Sequence, residues 1–200
     1  MISDKKCKLM MFADYLIVLV LSLFGLMIFS WLLQYSWGFP LYSVVFTLIY
    51  FGMIYSRCWN KAKSDLKYHK EDLRYVRAFR LVLPLTVTLL VLIALFALIQ
   101  YNIIPIRDLV TSVRYVIEEN QPRRAENVVL FSTIVPVMRV LFAFVNGFQP
   151  LDSTQAAVFL IAPAVTVAAG FAGYYAGLRK FYLSEVIFKA QQKAKDKFNE

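Results

Sequence analysis

Residues 81–104, LVLPLTVTLLVLIALFALIQYNII, run for twenty-four positions without a charge. A helix needs about 20 apolar residues to cross the hydrocarbon core of a bilayer, and this stretch meets that length. The pattern recurs on both sides of it. Further apolar stretches occupy residues 12–33, 40–56, 128–148 and 156–178. Composition agrees, with 60% hydrophobic, 16% aromatic and only 18% charged residues over 200 positions. Soluble domains hold about 45–50% apolar and 25% charged residues, and a water-soluble globule of this size could not hide the excess. The chain therefore reads as one membrane domain over residues 1–200. The predicted fold is an all-α integral membrane protein, a polytopic bundle of four or five transmembrane helices with amphipathic surface helices.

Aromatic side chains mark the ends of these stretches. Trp31, Tyr35, Trp37 and Tyr42 surround the first turn, and Tyr55 and Trp59 mark the opposite edge. Amphipathic rings prefer the headgroup level. The opening residues MISDKKCK followed by an apolar run resemble a signal peptide. The run is longer than the roughly 7–15 residues of an h-region and no small-x-small cleavage site follows. The first stretch is expected to remain as an anchor.

Charge sets the expected orientation. The formal net charge is +9, and the basic residues flank the apolar stretches. Lys and Arg gather on the cytosolic side of membrane helices and are drawn to anionic headgroups. The partners implied are membrane lipids and another membrane protein or a second copy, not nucleic acid. Lys5, Lys6 and Lys8 precede the first stretch, eight basic residues lie in 57–80, and none lies in the turn at 34–39. If all five stretches cross, eleven basic residues fall inside and ten outside; if the fourth does not cross, the balance is seventeen to four. The fourth stretch holds Arg139 near its centre and Pro136 three residues earlier. A central Arg costs about 2.5–3.5 kcal/mol on insertion scales, and Pro breaks helices. A broken or re-entrant segment at 128–148 is favoured. The expected location is the cell membrane, with both termini cytosolic.

Three polar segments are patterned. In the basic segment 57–80, Trp59, Ala62, Leu66, His69, Leu73 and Val76 follow a 3-4-3-4-3 spacing, which forms one helical stripe. This stripe is a candidate docking surface. Because the chain must return for the third stretch, the helix is expected to lie along the surface or to fold back near Ser64–Asp65. Residues 106–119, IRDLVTSVRYVIEE, separate an apolar from a polar face, with Pro105 and Pro122 at the ends. The basic tail 179–200 reads as another surface helix.

The fifth stretch carries two adjoining lines of small residues: Ala169, Gly173 and Gly177, and Ala164, Ala168, Ala172 and Ala176. Small residues at spacing four let membrane helices approach closely. This face is expected to pack against a neighbouring helix, in this chain or another.

Signals for catalysis are weak. No acid or histidine lies well inside an apolar stretch, and Asp14 sits at the edge of the first. The single histidine, His69, is in a basic loop, and Cys7 and Cys58 stand apart as expected reduced thiols. No metal-ligand spacing or phosphate-binding loop is present, so neither catalytic residues, metal nor cofactor are expected. Arg139 is the one intramembrane charge and the candidate contact for an anion, a lipid headgroup or a substrate. The sequence thus points to a non-enzymatic accessory, assembly or interaction subunit. The alternative is a transporter or channel component built around Arg139.

Overall fold

The computed structural model describes residues 3–28, 31, 35, 37–68, 76–101, 134–149 and 155–179. The elements formed by these residues are all helical, and four helical runs are long and apolar enough to cross a membrane. They are α1 (Asp4–Ile28), α2 (Gly38–Tyr68), α3 (Val76–Gln100) and the run Ala156–Leu178. The last comprises α5 (Ala156–Phe159) and α6 (Ile161–Leu178), joined through Leu160. Between α3 and α5 lie the short α4 (Val135–Leu141) and a 3-10 segment, Ala143–Phe148. The amphipathic segment 106–119 and residues 180–200 of the tail lie outside the described residues.

Local chemistry explains the helix ends. The Ser3 hydroxyl accepts the Lys6 amide at 3.2 Å, capping α1. Pro40 falls in the first turn of α2, where its missing N–H costs nothing. Pro84 lies inside α3, and the Thr88 hydroxyl donates to the Pro84 carbonyl at 2.9 Å.

Contacts between helices give their directions. Lys61 reaches Asp4, and the Tyr42 hydroxyl donates to the Ser22 carbonyl, so α1 and α2 are antiparallel. Tyr50 meets Thr166 and Tyr174 meets Asp65, so α2 and α6 run in the same direction. Phe79 lies against Phe171 and Phe96 against Phe159, so α3 opposes α5 and α6. Asp4, Asp65, Arg77 and Tyr174 consequently gather at one end of the bundle. Trp31, Tyr35 and Trp37 mark the other end, where α3 finishes and α5 begins. The chain enters α1 and leaves α6 at the same, charged end.

The bundle is apolar outside as well as inside. Leu16, Val20 and Phe24 of α1, Leu48 of α2 and Val87 and Val91 of α3 are all exposed. Such surfaces suit hydrocarbon rather than water. Inside, Met11, Tyr50, Ile54, Leu85, Phe96 and Phe144 form part of one contiguous core.

One segment differs in detail from the sequence expectation. The basic segment does not turn at Ser64–Asp65: α2 runs unbroken through both to Tyr68, for 31 residues. At 1.5 Å per residue that is about 46 Å. The extension is held because Cys58, Lys61, Ala62 and Asp65 all face the interior. In the described part of the fourth apolar stretch, residues 134–148, α-helix covers Val135–Leu141 and Phe142 then departs from it at φ −115° and ψ 33°, in keeping with the broken segment expected from Pro136 and Arg139.

Candidate functional site

The most concentrated polar chemistry is a buried network at the charged end. Lys61 and Asp65 lie one turn apart on the inner face of α2, and both side chains are 1% exposed. Lys61 Nζ stands 2.7 Å from Asp65 Oδ1 and 2.7 Å from Asp4 Oδ1. Arg77, from the first turn of α3, brings Nε to 3.3 Å from Asp65 Oδ2 and Nη2 to 3.8 Å from Asp4 Oδ1. From α6, the Tyr174 hydroxyl donates to Asp65 Oδ2 at 3.1 Å. Asp65 therefore joins α2, α3 and α6, while Asp4 brings in the start of α1.

A second pair lies deeper. Arg57 forks onto Asp14, with Nε to Oδ2 at 2.7 Å and Nη2 to Oδ1 at 2.9 Å. Its Nη1 also donates to Met10 Sδ at 3.7 Å. Asp14 is 1% exposed, whereas the Arg57 side chain is 40% exposed. The planar guanidinium matches both carboxylate oxygens. Cys7 and Cys58 are buried free thiols on the facing surfaces of the same two helices.

Three acids thus meet three bases, and three of the six, Asp14, Lys61 and Asp65, are fully buried. Such pairs contribute little net stability, because desolvation offsets attraction. Their consequence is conditional: removing a partner of Asp14, Lys61 or Asp65 leaves a buried charge without that compensation, at about 3–5 kcal/mol.

A second polar layer surrounds the 3-10 segment. Phe142, Ala143, Phe144 and Val145 are fully buried, so their backbone groups need partners within the protein. Tyr15 OH donates to the Leu141 carbonyl at 2.5 Å and Thr47 Oγ1 to the Phe144 carbonyl at 3.3 Å. The Gly147 amide donates to Ser43 Oγ at 2.6 Å. Asn146 Nδ2 donates to the Arg139 carbonyl at 2.6 Å. Hydroxyls of α1 and α2 thereby replace hydrogen bonds that a continuous α-helix would make itself.

The residues singled out from sequence are divided by the structure. Ala169, Gly173, Ala176 and Gly177 are buried. A Cβ on Gly173 would strike the Tyr55 backbone, and one on Gly177 would lie 2.6 Å from Ala62 Cβ and 2.7 Å from the Trp59 carbonyl oxygen. This line therefore packs α6 onto α2 within the bundle. Ala164, Ala168 and Ala172 are exposed on the outer side. In the docking stripe, Ala62 is buried beneath Gly177, Trp59 and Leu66 are half-buried, and Val76 is exposed at the start of α3. His69 and Leu73 lie outside the described residues. Arg139 is half-buried on α4.

Sequence reasoning missed the ion-pair network. Asp14 was read as an edge residue and Asp65 as part of a basic loop, because their partners are distant in sequence. The one local signal was Lys61–Asp65, an i,i+4 pair on a helix. Among the described residues, no group of three or more His, Cys, Asp or Glu side chains is placed to hold a metal ion. The chain matches no family model, no curated protein and no solved structure.

Proposed function

We propose that this chain is a multi-pass membrane protein that works without catalysis, as an accessory or assembly subunit whose charged end faces the cytosol. One observation carries the reading. The buried polar side chains Asp14, Ser43, Lys61, Asp65, Asn146 and Thr166 each bind another part of the protein. Their polar capacity is spent on closing the bundle rather than held open for a substrate. Between the two ends, the outward surface is largely apolar and includes the small residues Ala164, Ala168 and Ala172, which suit close approach of another membrane helix. The orientation follows from the basic residues at the charged end.

Purification of the tagged full chain in mild detergent, followed by size analysis, tests the role. A defined complex that Ala168→Leu weakens supports it, provided that thermal stability of the chain is unchanged. A monomer alone, at concentrations that preserve the fold, overturns it.

A second reading is favoured by a different observation. The 3-10 segment interrupts α-helical geometry within the bundle, with Arg139 just before it. Interrupted helices line substrate paths in many transporters. Solute or ion flux in vesicles that Arg139→Gln abolishes would favour a transporter or channel component.

A further inference from the structure

The charges at the charged end are sorted by position. Each acid of the described residues, Asp4, Asp14 and Asp65, is engaged in an ion pair with Lys61, Arg57 or Arg77. Lys5, Lys6, Lys67, Arg80 and Arg179 instead face outward, with Lys63 half-buried beside them. They come from α1, α2 and α3 and from the residue that caps α6, and lie at one end. We infer that this end is a binding face for anionic phospholipid headgroups, with Trp59, Tyr68 and Tyr175 as its aromatic floor.

The geometry favours lipid over an acidic protein. Lys63 Nζ lies 3.5 Å from the centroid of the Trp59 ring, Lys67 Nζ 5.4 Å from that of Tyr68, and the Arg179 guanidinium carbon 4.5 Å from that of Tyr175. Rings with an apolar body and a polar edge sit at headgroup depth, and cations above them stand where lipid phosphates lie. Exposed Leu9 and Phe79 on the membrane side show where the apolar surface begins. Asp14 and Asp65 are buried, and Asp4, 47% exposed, is neutralised by Lys61, so each acid among the described residues has its charge offset by a basic partner. The inference rests on the chain lying in a membrane, and not on its assembly role.

Tryptophan quenching can test this, because Trp59 is at the charged end and the other two tryptophans, Trp31 and Trp37, are at the aromatic end. The full chain carrying Trp31→Phe and Trp37→Phe is reconstituted in phosphatidylcholine vesicles. A fraction of the lipid is replaced by phosphatidylglycerol or phosphatidylcholine with brominated acyl chains. Trp59 should be quenched with about fivefold preference for phosphatidylglycerol, equivalent to about 1 kcal/mol. In 1 M salt, where the Debye length is about 3 Å, the preference should largely vanish. Lys63→Gln with Lys67→Gln should reduce it to twofold or less. Trp31 and Trp37, in a Trp59→Phe chain, should show no preference.

Equal quenching of Trp59 by the two lipids overturns the proposal, as does a preference unchanged by the paired glutamine substitutions. Loss of preference on adding polyglutamate at 0.15 M salt would assign the face to an acidic protein instead. Recovery of the chain in aqueous solution without detergent would overturn the membrane reading itself, an outcome distinct from these.

Discussion

The two ends of the bundle are closed by different physics. At the charged end, Asp4, Lys61, Asp65, Arg77 and Tyr174 draw all four long helical runs together through contacts between ionised or strongly polar groups. Towards the aromatic end, hydroxyls meet main-chain groups, as Tyr42 does at Ser22 and Ser43 at Gly147, and rings stack, as in Tyr35–Trp37 at 5.7 Å. Ionic closure is all or nothing, since each charge depends on its partner. Hydroxyl and ring contacts divide the same task into smaller, separable parts. The charged end should therefore fail sharply when one residue changes, and the aromatic end by degrees.

Asp65→Ala should have the largest effect. It leaves Lys61 buried with only Asp4 and removes the acceptor of Arg77 and Tyr174. A loss of about 3–5 kcal/mol is expected, seen as a large fall in thermal midpoint in detergent. Tyr42→Phe at the other end should cost only about 1 kcal/mol. Replacing Lys61 and Asp65 together by Met and Leu should recover much of the loss, because no uncompensated charge remains. Similar midpoints for Asp65→Ala and Tyr42→Phe would remove the distinction between the ends.

Gly173→Leu ranks next. The new side chain would meet the Tyr55 backbone, which cannot move aside as a side-chain tip could. Overpacking of this kind costs about 1–3 kcal/mol, and cleavage of α2 near Tyr55 by added protease should accelerate. Ala168→Leu, on the outer line of the same helix, should leave the thermal midpoint of the isolated chain nearly unchanged. Equal destabilisation by the two would mean that the outer line is also packed within the bundle.

These cases show where the sequence is legible. Apolar runs underlie the four long helical runs, because a run of that length with at most one charge has few other outcomes. Their ends at the charged side are less legible: α1 starts at Asp4 rather than Phe12, and α2 continues past Ser56 to Tyr68. Charged residues there are drawn into helices by partners that hydropathy does not see. Asp14 pairs with Arg57 across 43 positions and Tyr174 with Asp65 across 109. No local pattern encodes those separations. The small-residue lines of α6 are visible in sequence, but only the position of α2 decides that Gly173 faces inward and Ala168 outward.

A smaller effect should come from the hydroxyls around the 3-10 segment. Thr47→Val removes the donor to the Phe144 carbonyl while preserving shape. A cost of about 1–2 kcal/mol is expected for the unpaired acceptor. Amide hydrogen exchange should rise in residues 143–148 and stay unchanged at the charged end. A rise at both ends would show that the two closures are coupled rather than separate.

The smallest expected effect on stability is none, and it tests which side each end occupies. Lys5, Trp37 and Arg179 are exposed, so single cysteines can replace them after Cys7→Ala and Cys58→Ala. Lys5 and Arg179 belong to the charged end and Trp37 to the aromatic end. Positively charged loops are retained in the cytosol, and moving each charge outward opposes the membrane potential by about 2.3 kcal/mol per 100 mV. On intact cells, a membrane-impermeant thiol reagent should label Trp37→Cys and spare Lys5→Cys and Arg179→Cys until the membrane is permeabilised. Labelling of Arg179→Cys with protection of Lys5→Cys would place the two on opposite sides, which α1 and α6 meeting through Asp4, Lys61, Asp65 and Tyr174 does not allow. Labelling of both, with protection of Trp37→Cys, would keep the fold and reverse its orientation, and the cytosolic assignment of the charged end would fall.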